Sequence, residues 1–198
     1  MRVNETFVSL QGEGYFTGTP AFFLRLSGCN LQCPFCDTNH KSFTEMSEDE
    51  IVQEASRHKP RHIVITGGEP ALQLTSSLVD KLHEAGFFIQ VETNGTLPLP
   101  EGIDWVTCSP KSLTPDPSPR KGEYPHELKI LFKGDSTDPE DFISPLLEEG
   151  SGVRLFLQPL DTGNEMRNRI ILRDTIAYIL EHPKWSLSLQ THKLLGIK

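Results

Sequence analysis

Short apolar runs and longer amphipathic stretches alternate along most of this chain. Strand-like runs cover 21–26 (AFFLRL), 62–66 (HIVIT), 87–93, 104–109, 127–132 (ELKILF), 153–158 (VRLFLQ) and 185–191. Between the first two lies SEDEIVQEASRHK, where Ser47 can cap a helix and Glu50 can complete a capping box. Further helices are expected over 73–85, stopped by Gly86, over 139–149, and over 164–181, ending before Pro183. This alternation marks βα units and a parallel sheet, as a doubly wound open sheet or a partial β/α barrel. In both, ligands gather beyond the carboxyl ends of the strands. Four chemically loaded tails fall there: TGGEP (66–70), ETNG (92–95), SPK (109–111) and QP (158–159). Four tails on one face predict a shared site.

The length of 198 residues fits one domain, 1–198, able to bury a core without metals or disulfides. No internal repeat, heptad pattern or basic tail interrupts it. No stretch approaches the ~20 apolar residues of a membrane span. MRVNETFVSLQGEG lacks the apolar core of a signal peptide, so a cytoplasmic location is expected. A net charge of −8 argues against phosphate-backbone binding, so no nucleic acid and no membrane partner is expected. The proline-rich segment 111–126, KSLTPDPSPRKGEYPH, reads as a solvated connection or as a lid over the site.

The candidate chemistry concentrates in SGCNLQCPFCDT, a loop (27–40) after the first predicted strand. Cys29, Cys33 and Cys36 follow a C-x3-C-x2-C spacing, with Phe35 before the last thiol. A reducing compartment argues against a disulfide framework. A structural zinc site needs four ligands in paired knuckles, and the remaining cysteine, Cys108, lies far away on a predicted strand. There it reads as a small buried hydrophobe. Three thiolates can instead hold three irons of a 4Fe–4S cluster and leave the fourth iron open. A zinc knuckle remains the alternative at this point. The loop resembles the signature of the radical S-adenosylmethionine (SAM) superfamily. ITGGEP resembles that superfamily's glycine-rich motif, which implies contact with the methionine amino group of SAM through Gly67, Gly68 and Glu69.

Within the superfamily, SLQGEG, FFLRLSGCNLQCPFCDT, HIVITGGEPAL, VETNGT, VTCSPK, FLQPL and SLSLQTHKLLGIK resemble the 7-carboxy-7-deazaguanine synthase family over nearly the whole chain. The resemblance implies an α/β fold, a partial β/α barrel of about six parallel strands plus short additions. It implies a carbon–nitrogen lyase reaction in queuosine (7-deazapurine) biosynthesis. There, 6-carboxy-5,6,7,8-tetrahydropterin loses ammonia as its ring contracts to 7-carboxy-7-deazaguanine. SAM is cleaved to a 5′-deoxyadenosyl radical and regenerated in each turnover. Implied cofactors are a 4Fe–4S cluster, SAM and Mg2+; implied partners are an external one-electron donor such as flavodoxin or ferredoxin and a second copy in a homodimer.

Carried over residue by residue, Leu10, Gln11, Gly12 and Glu13 are expected at the pterin, with Thr66. Alternation in FFLRL puts Phe23 and Arg25 on one face and Phe22, Leu24 and Leu26 on the other. A cation there needs a counter-anion or water, so Arg25 either clamps the substrate carboxylate or forms a structural ion pair. Thr38 matches the family's Mg2+ ligand, acting together with the substrate carboxylate. Phe35, Cys36, Asp37, Gly68, Glu92, Ser109, Pro110, Lys111, Gln158, Pro159, Leu160 and Asp161 match SAM-contacting stretches. Gln190 and His192 alternate with Thr191 on the last predicted strand, in a structural or substrate-contacting role. His58, His62, His83 and His182 read as surface or capping residues, and Phe22, Phe35 and Phe43 as an apolar surround for the radical. The rivals are a radical SAM activase acting on a partner protein and a non-catalytic zinc-binding module.

Overall fold

The computed structural model describes residues 1–36, 42–111, 125–143 and 152–198. Nine strands among these residues form one sheet: β1 (Arg2–Leu10), β2 (Pro20–Leu26), β3 (Thr44–Glu45), β4 (His62–Gly67), β5 (Phe88–Thr93), β6 (Trp105–Cys108), β7 (Glu127–Phe132), β8 (Arg154–Pro159) and β9 (Trp185–Leu187). Their order is β3-β1-β2-β4-β5-β6-β7-β8-β9. β1 pairs antiparallel with β2 and β3, while β2 and β4 to β9 run parallel. The two outermost strands are not neighbours, so this is an open, partial β/α barrel.

The helices are α1 (Glu48–Ser56), α2 (Ser76–Glu84), α3 (Glu165–Glu181) and α4 (Thr191–Leu195). α1 starts with the expected reciprocal cap: Glu50 N donates to Ser47 Oγ at 3.2 Å, and Ser47 N donates to Glu50 Oε2 at 2.7 Å. α2 begins later than the pattern suggested, because Pro70–Leu72 forms a 3-10 turn capped by Glu69. It ends as expected before Gly86, whose φ is +79°. Of the helix expected over 139–149, Pro139–Phe142 forms a 3-10 turn; 144–151 lie outside the described residues.

α1 and α2 cover one flank of the sheet. Ile51, Ala55, Leu78 and Leu82 meet Phe22, Leu24, Ile63, Ile65, Ile89 and Val91 there, all fully buried. Each of the larger side chains stabilises the fold by roughly 1.5–3 kcal/mol. A second cluster joins Leu128, Ile130, Leu157 and Trp185 to Tyr178 and Ile179 of α3. Under the amino ends of the strands, Tyr15 stacks on Trp105 at 5.0 Å and Phe16 meets His62 edge-on at 4.7 Å. His62 is therefore a buried ring bonded to Gln90 at 2.9 Å, not a surface or capping residue. Burial pushes its pKa down.

Two further expectations change. β1 lies outside the runs that periodicity picked out, because most of RVNETFVSL is only half-buried and polar residues interrupt the alternation. The strand expected over 185–191 stops at Leu187, and the chain then turns into α4. Ser188 N still donates to Leu157 O at 2.9 Å, but two residues further along, β8 reaches Pro159, which has no N–H to continue a ladder. Thr191 instead donates from both N and Oγ1 to Gly12 O, each at 3.0 Å. Gln190 thus sits at the amino end of α4 and His192 within it.

Candidate active site

The concave face and the carboxyl ends of the strands enclose a cavity of about 510 Å³. It gathers Leu10, Gln11, Gly12 and Glu13 after β1, Phe23 and Arg25 from β2, and Cys29, Cys33, Phe35 and Cys36 from the cysteine loop. Thr66 and Gly68 from the β4 tip join them, with Glu92 from β5, Ser109 and Lys111 after β6, Gln158 from β8, and Leu160 and Asp161. Gln190, His192 and Lys193 close it from α4. Pro110 and Pro159 do not line it. Asp37 and Thr38 lie outside the described residues, as does most of the candidate lid, 112–124.

The inner and outer faces of β2 separate as its alternation required: Phe23 and Arg25 face the cavity, while Phe22, Leu24 and Leu26 enter the core. Phe22 therefore cannot line the cavity. Phe43 is exposed, with the Arg2 guanidinium 5.7 Å from its ring centre. Of the three rings expected around the site only Phe35 lines it; Phe7 and Phe23, stacked at 4.9 Å, supply the apolar wall.

Within the cysteine loop, Cys36 N donates to Cys33 O at 3.1 Å, which makes a turn, and Leu31 N approaches Cys29 Sγ at 3.4 Å. Burial, together with the neighbouring Cys29 and Cys36, pushes the Cys33 thiol up, while Lys111 and Lys133 oppose the rise. Cys108 is fully buried away from the cavity, and desolvation raises its thiol to about 12. Among the described residues, no three His, Cys, Asp or Glu side chains converge to hold a single metal ion. The donor set at the cavity is three thiols and no fourth cysteine. That set fits three corners of a 4Fe–4S cluster, and among the described residues it lacks the fourth ligand of a closed zinc site.

The glycines of ITGGEP serve the loop's backbone. A Cβ on Gly68 would lie 1.8 Å from Gly28 O, so only glycine lets the β4 tip press against the start of the cysteine loop. Two backbone bonds lock that contact, Gly68 N to Leu26 O at 3.0 Å and Glu69 N to Gly28 O at 2.9 Å. Glu69 does not reach the cavity, contrary to its expected contact with SAM. It is fully buried and accepts from Thr93 Oγ1 (2.7 Å), Asn94 N (2.7 Å) and Ala71 N (3.0 Å). Asn94 Nδ2 in turn donates to Asn30 Oδ1 at 3.0 Å. One buried carboxylate thus ties the β4 and β5 tips together and, through Asn94, to the cysteine loop.

On the opposite wall lies a residue that the motifs did not reveal. Lys129, buried on β7, forms ion pairs with Glu13 and, at 3.0 Å, with Glu92. Gln11 Nε2 donates to Glu92 Oε1 at 3.0 Å, and Gln190 Nε2 donates to Glu13 Oε1 at 2.8 Å. Burial works to raise the Glu13 carboxyl, but Lys129 beside it and Gln190 hold it down at about 2. Burial likewise works against the Lys129 charge, and the two carboxylates more than reverse this and push its pKa up. Alternation in ELKILF carried the signal, since it puts Glu127 and Lys129 on the same face of a central strand.

Arg25 Nε pairs with Glu5 at 3.1 Å, and Glu5 also accepts from Lys198 at 2.6 Å. The structural ion pair and the cavity-facing cation are thus both present at Arg25. Gln158 is buried and accepts from Ser188 Oγ at 2.9 Å. Asp161 is engaged by Lys193 (2.7 Å), Asn168 (2.7 Å) and Gly163 N (2.9 Å), which hold its carboxyl well below the usual range. Lys111 donates to Ser109 Oγ at 2.8 Å, and burial pulls its pKa down.

Residues 24–127 match the family model of the radical SAM superfamily. The chain is 46% identical to a 7-carboxy-7-deazaguanine synthase of Bacteroides thetaiotaomicron, over 100% of this chain and 98% of that one. It is 40% identical to a 7-carboxy-7-deazaguanine synthase of Synechocystis, over 99% and 93% of the two chains. Its structure resembles the crystal structure of QueE from Escherichia coli, with a TM-score of 0.74, 29% identity, and 95% and 92% of the two chains covered. Three thiols without a fourth on an open β/α barrel, together with sequence identity to these synthases over nearly the whole chain, place the chain in the 7-carboxy-7-deazaguanine synthase family of the radical SAM superfamily.

Proposed function

We propose that this chain converts 6-carboxy-5,6,7,8-tetrahydropterin to 7-carboxy-7-deazaguanine, with ring contraction and release of ammonia. The observation that carries the reading is the polarity of a single cavity. Three thiols line it from the cysteine loop, a guanidinium from β2, and two carboxylates paired with Lys129 from β5 and the loop after β1. When bound, the cluster and SAM supply one-electron cleavage of a carbon–sulfur bond and a carbon radical able to abstract hydrogen. Cys29, Cys33 and Cys36 would hold the cluster. The tips of β4, β5, β6 and β8 would position SAM through Gly68, Glu92, Ser109, Lys111, Gln158 and Leu160.

Arg25 binds the substrate carboxylate, because a guanidinium grips such a group with two parallel hydrogen bonds. Gln11, Gly12, Glu13 and Thr66 hold the pterin, whose edge carries both donors and acceptors. Phe7 and Phe23 keep water from the reacting carbon. Thr38 and the substrate carboxylate together provide oxygens for Mg2+. An external donor such as flavodoxin or ferredoxin supplies the electron, and the enzyme works as a cytoplasmic homodimer. No helix among the described residues is long and apolar enough to cross a membrane.

The test is anaerobic reconstitution with iron and sulfide, followed by assay with SAM, Mg2+, reductant and the carboxytetrahydropterin. The deazaguanine should form with stoichiometric ammonia, while methionine and 5′-deoxyadenosine should not accumulate. A loaded cluster that cleaves SAM without substrate-dependent ammonia release overturns the reading.

A further inference from the structure

Lys129 has no part in the chemistry assigned so far, yet the fold commits a buried charge to it. Its ammonium lies between Glu13, from the loop after β1, and Glu92, at the tip of β5. A buried ammonium is costly unless it is compensated, and one carboxylate would suffice. Here there are two, so the trio carries one net negative charge facing a cavity that all three residues line. Glu13 spends one oxygen on Lys129 and the other on Gln190. Each carboxylate oxygen has a second lone pair, so acceptor capacity remains for a ligand.

We infer that Lys129 is a positioning residue, held in place by Glu92, that keeps Glu13 anionic and aimed at a ligand edge rich in N–H donors. This rests on the function proposed above and deepens it. The 2-amino-4-oxopyrimidine edge of a pterin is such an edge. The substrate's carboxylate would face Arg25 on β2, across the sheet from β7. A guanidinium on one wall and carboxylate acceptors on the other thereby select the direction in which the substrate lies.

Protonation makes the inference testable. Lys129 is faced by Glu13, Glu92 and Glu127, with Lys111 nearby, and Glu13 is also faced by His192. If the Lys129 ammonium is removed, its neighbouring charge and hydrogen bond are lost, desolvation of Glu13 is opposed by Gln190, His192 and the more distant Lys111, and its carboxyl pKa rises. The probe is 6-carboxypterin, the stable oxidised form, whose fluorescence reports binding to the reconstituted enzyme with SAM present. Titrations run from about pH 5.5 to about pH 7.5, where a buried carboxyl freed of its counter-cation titrates.

The wild-type dissociation constant should stay flat over that range. Lys129→Met should bind about 10- to 100-fold more weakly at the acid end, the loss of one charge-assisted hydrogen bond, and recover as pH rises. Lys129→Arg should restore flat binding. The double variant Lys129→Met with Glu13→Gln, which removes one charge of each sign, should bind weakly with no pH dependence. Iron and sulfide content and far-ultraviolet circular dichroism report folding.

Wild-type affinity in a folded Lys129→Met overturns the inference, and so does a weakening that ignores pH, which a merely structural lysine would give. If Lys129→Met does not fold, Lys129→Gln takes its place: an acid-end loss that recovers as pH rises upholds the inference, and wild-type affinity or a pH-independent loss overturns it. A wild-type enzyme that loads its cluster but never binds the pterin overturns this inference together with the function beneath it.

Discussion

Gly68→Ala tests how the cysteine loop is held. The new methyl would stand 1.8 Å from Gly28 O and 2.5 Å from Gly28 C, both backbone atoms, with no flexible side chain to move aside. Restoring a 3.0 Å separation from that oxygen requires a retreat of about 1.2 Å. Such overpacking costs about 1–3 kcal/mol, and the retreat strains the bond from Glu69 N to Gly28 O, worth roughly another 1 kcal/mol. The displaced segment leads directly into Cys29, so the error passes to the first thiol. A misplacement of about 1 Å in a reacting group costs on the order of 100-fold in rate. After anaerobic reconstitution, Gly68→Ala should show a lowered melting temperature, reduced iron per chain and weaker SAM binding by equilibrium dialysis. The variant with wild-type iron content and SAM affinity would show that the β4 tip does not set the loop's position, and the packing argument would fail.

Other outcomes follow from the same geometry. Arg25→Lys should raise the KM for the carboxypterin by about 10-fold or more, because an ammonium cannot make the paired bonds of a guanidinium; an unchanged KM would reduce Arg25 to the partner of Glu5. In the cluster-free chain, iodoacetamide at neutral pH should label Cys29, Cys33 and Cys36 and spare Cys108, whose burial and raised pKa of about 12 suppress the thiolate. Mass spectrometry of the labelled peptides reads this directly. Acid should destabilise the fold through carboxyls held low. The charge of Lys129 outweighs burial at Glu13, and hydrogen bonds from Ser77 and Thr75 act on Glu48; each is held at about 2. A folded pKa below the unfolded one gives stability that is present above the unfolded value and lost as pH falls through the folded one. Melting temperatures should therefore drop between about pH 4.3 and about pH 2, and Glu13→Gln should flatten that drop.

Much of the fold was legible in the sequence. Parallel strands at the core of the sheet announce themselves as apolar runs, because both faces of β4 and β5 are buried. The α1 cap was legible because its donors and acceptors lie within four residues of chain. β1 was not, since its stability comes from pairing with β2 and from Phe7 stacking on Phe23, contacts that its own pattern does not contain. The last strand was read too long, because α4 begins where Gly12, distant in the chain, offers its carbonyl to Thr191.

For the site, the sequence alone determined the thiol trio, since three cysteines within eight residues stay on one short loop whatever the rest of the fold does. It also determined which face of β2 carries Arg25, through a period of two. Tertiary structure decided the direction of every group whose partner is remote in sequence. Glu69, adjacent to the glycines, turns inward to brace two strand tips, while Lys129, in no motif, reaches the cavity between Glu13 and Glu92. Spacing encodes what neighbouring residues do together. Where a buried charge points depends on the counter-charges that the folded sheet brings to it, and those come from strands far apart in the chain.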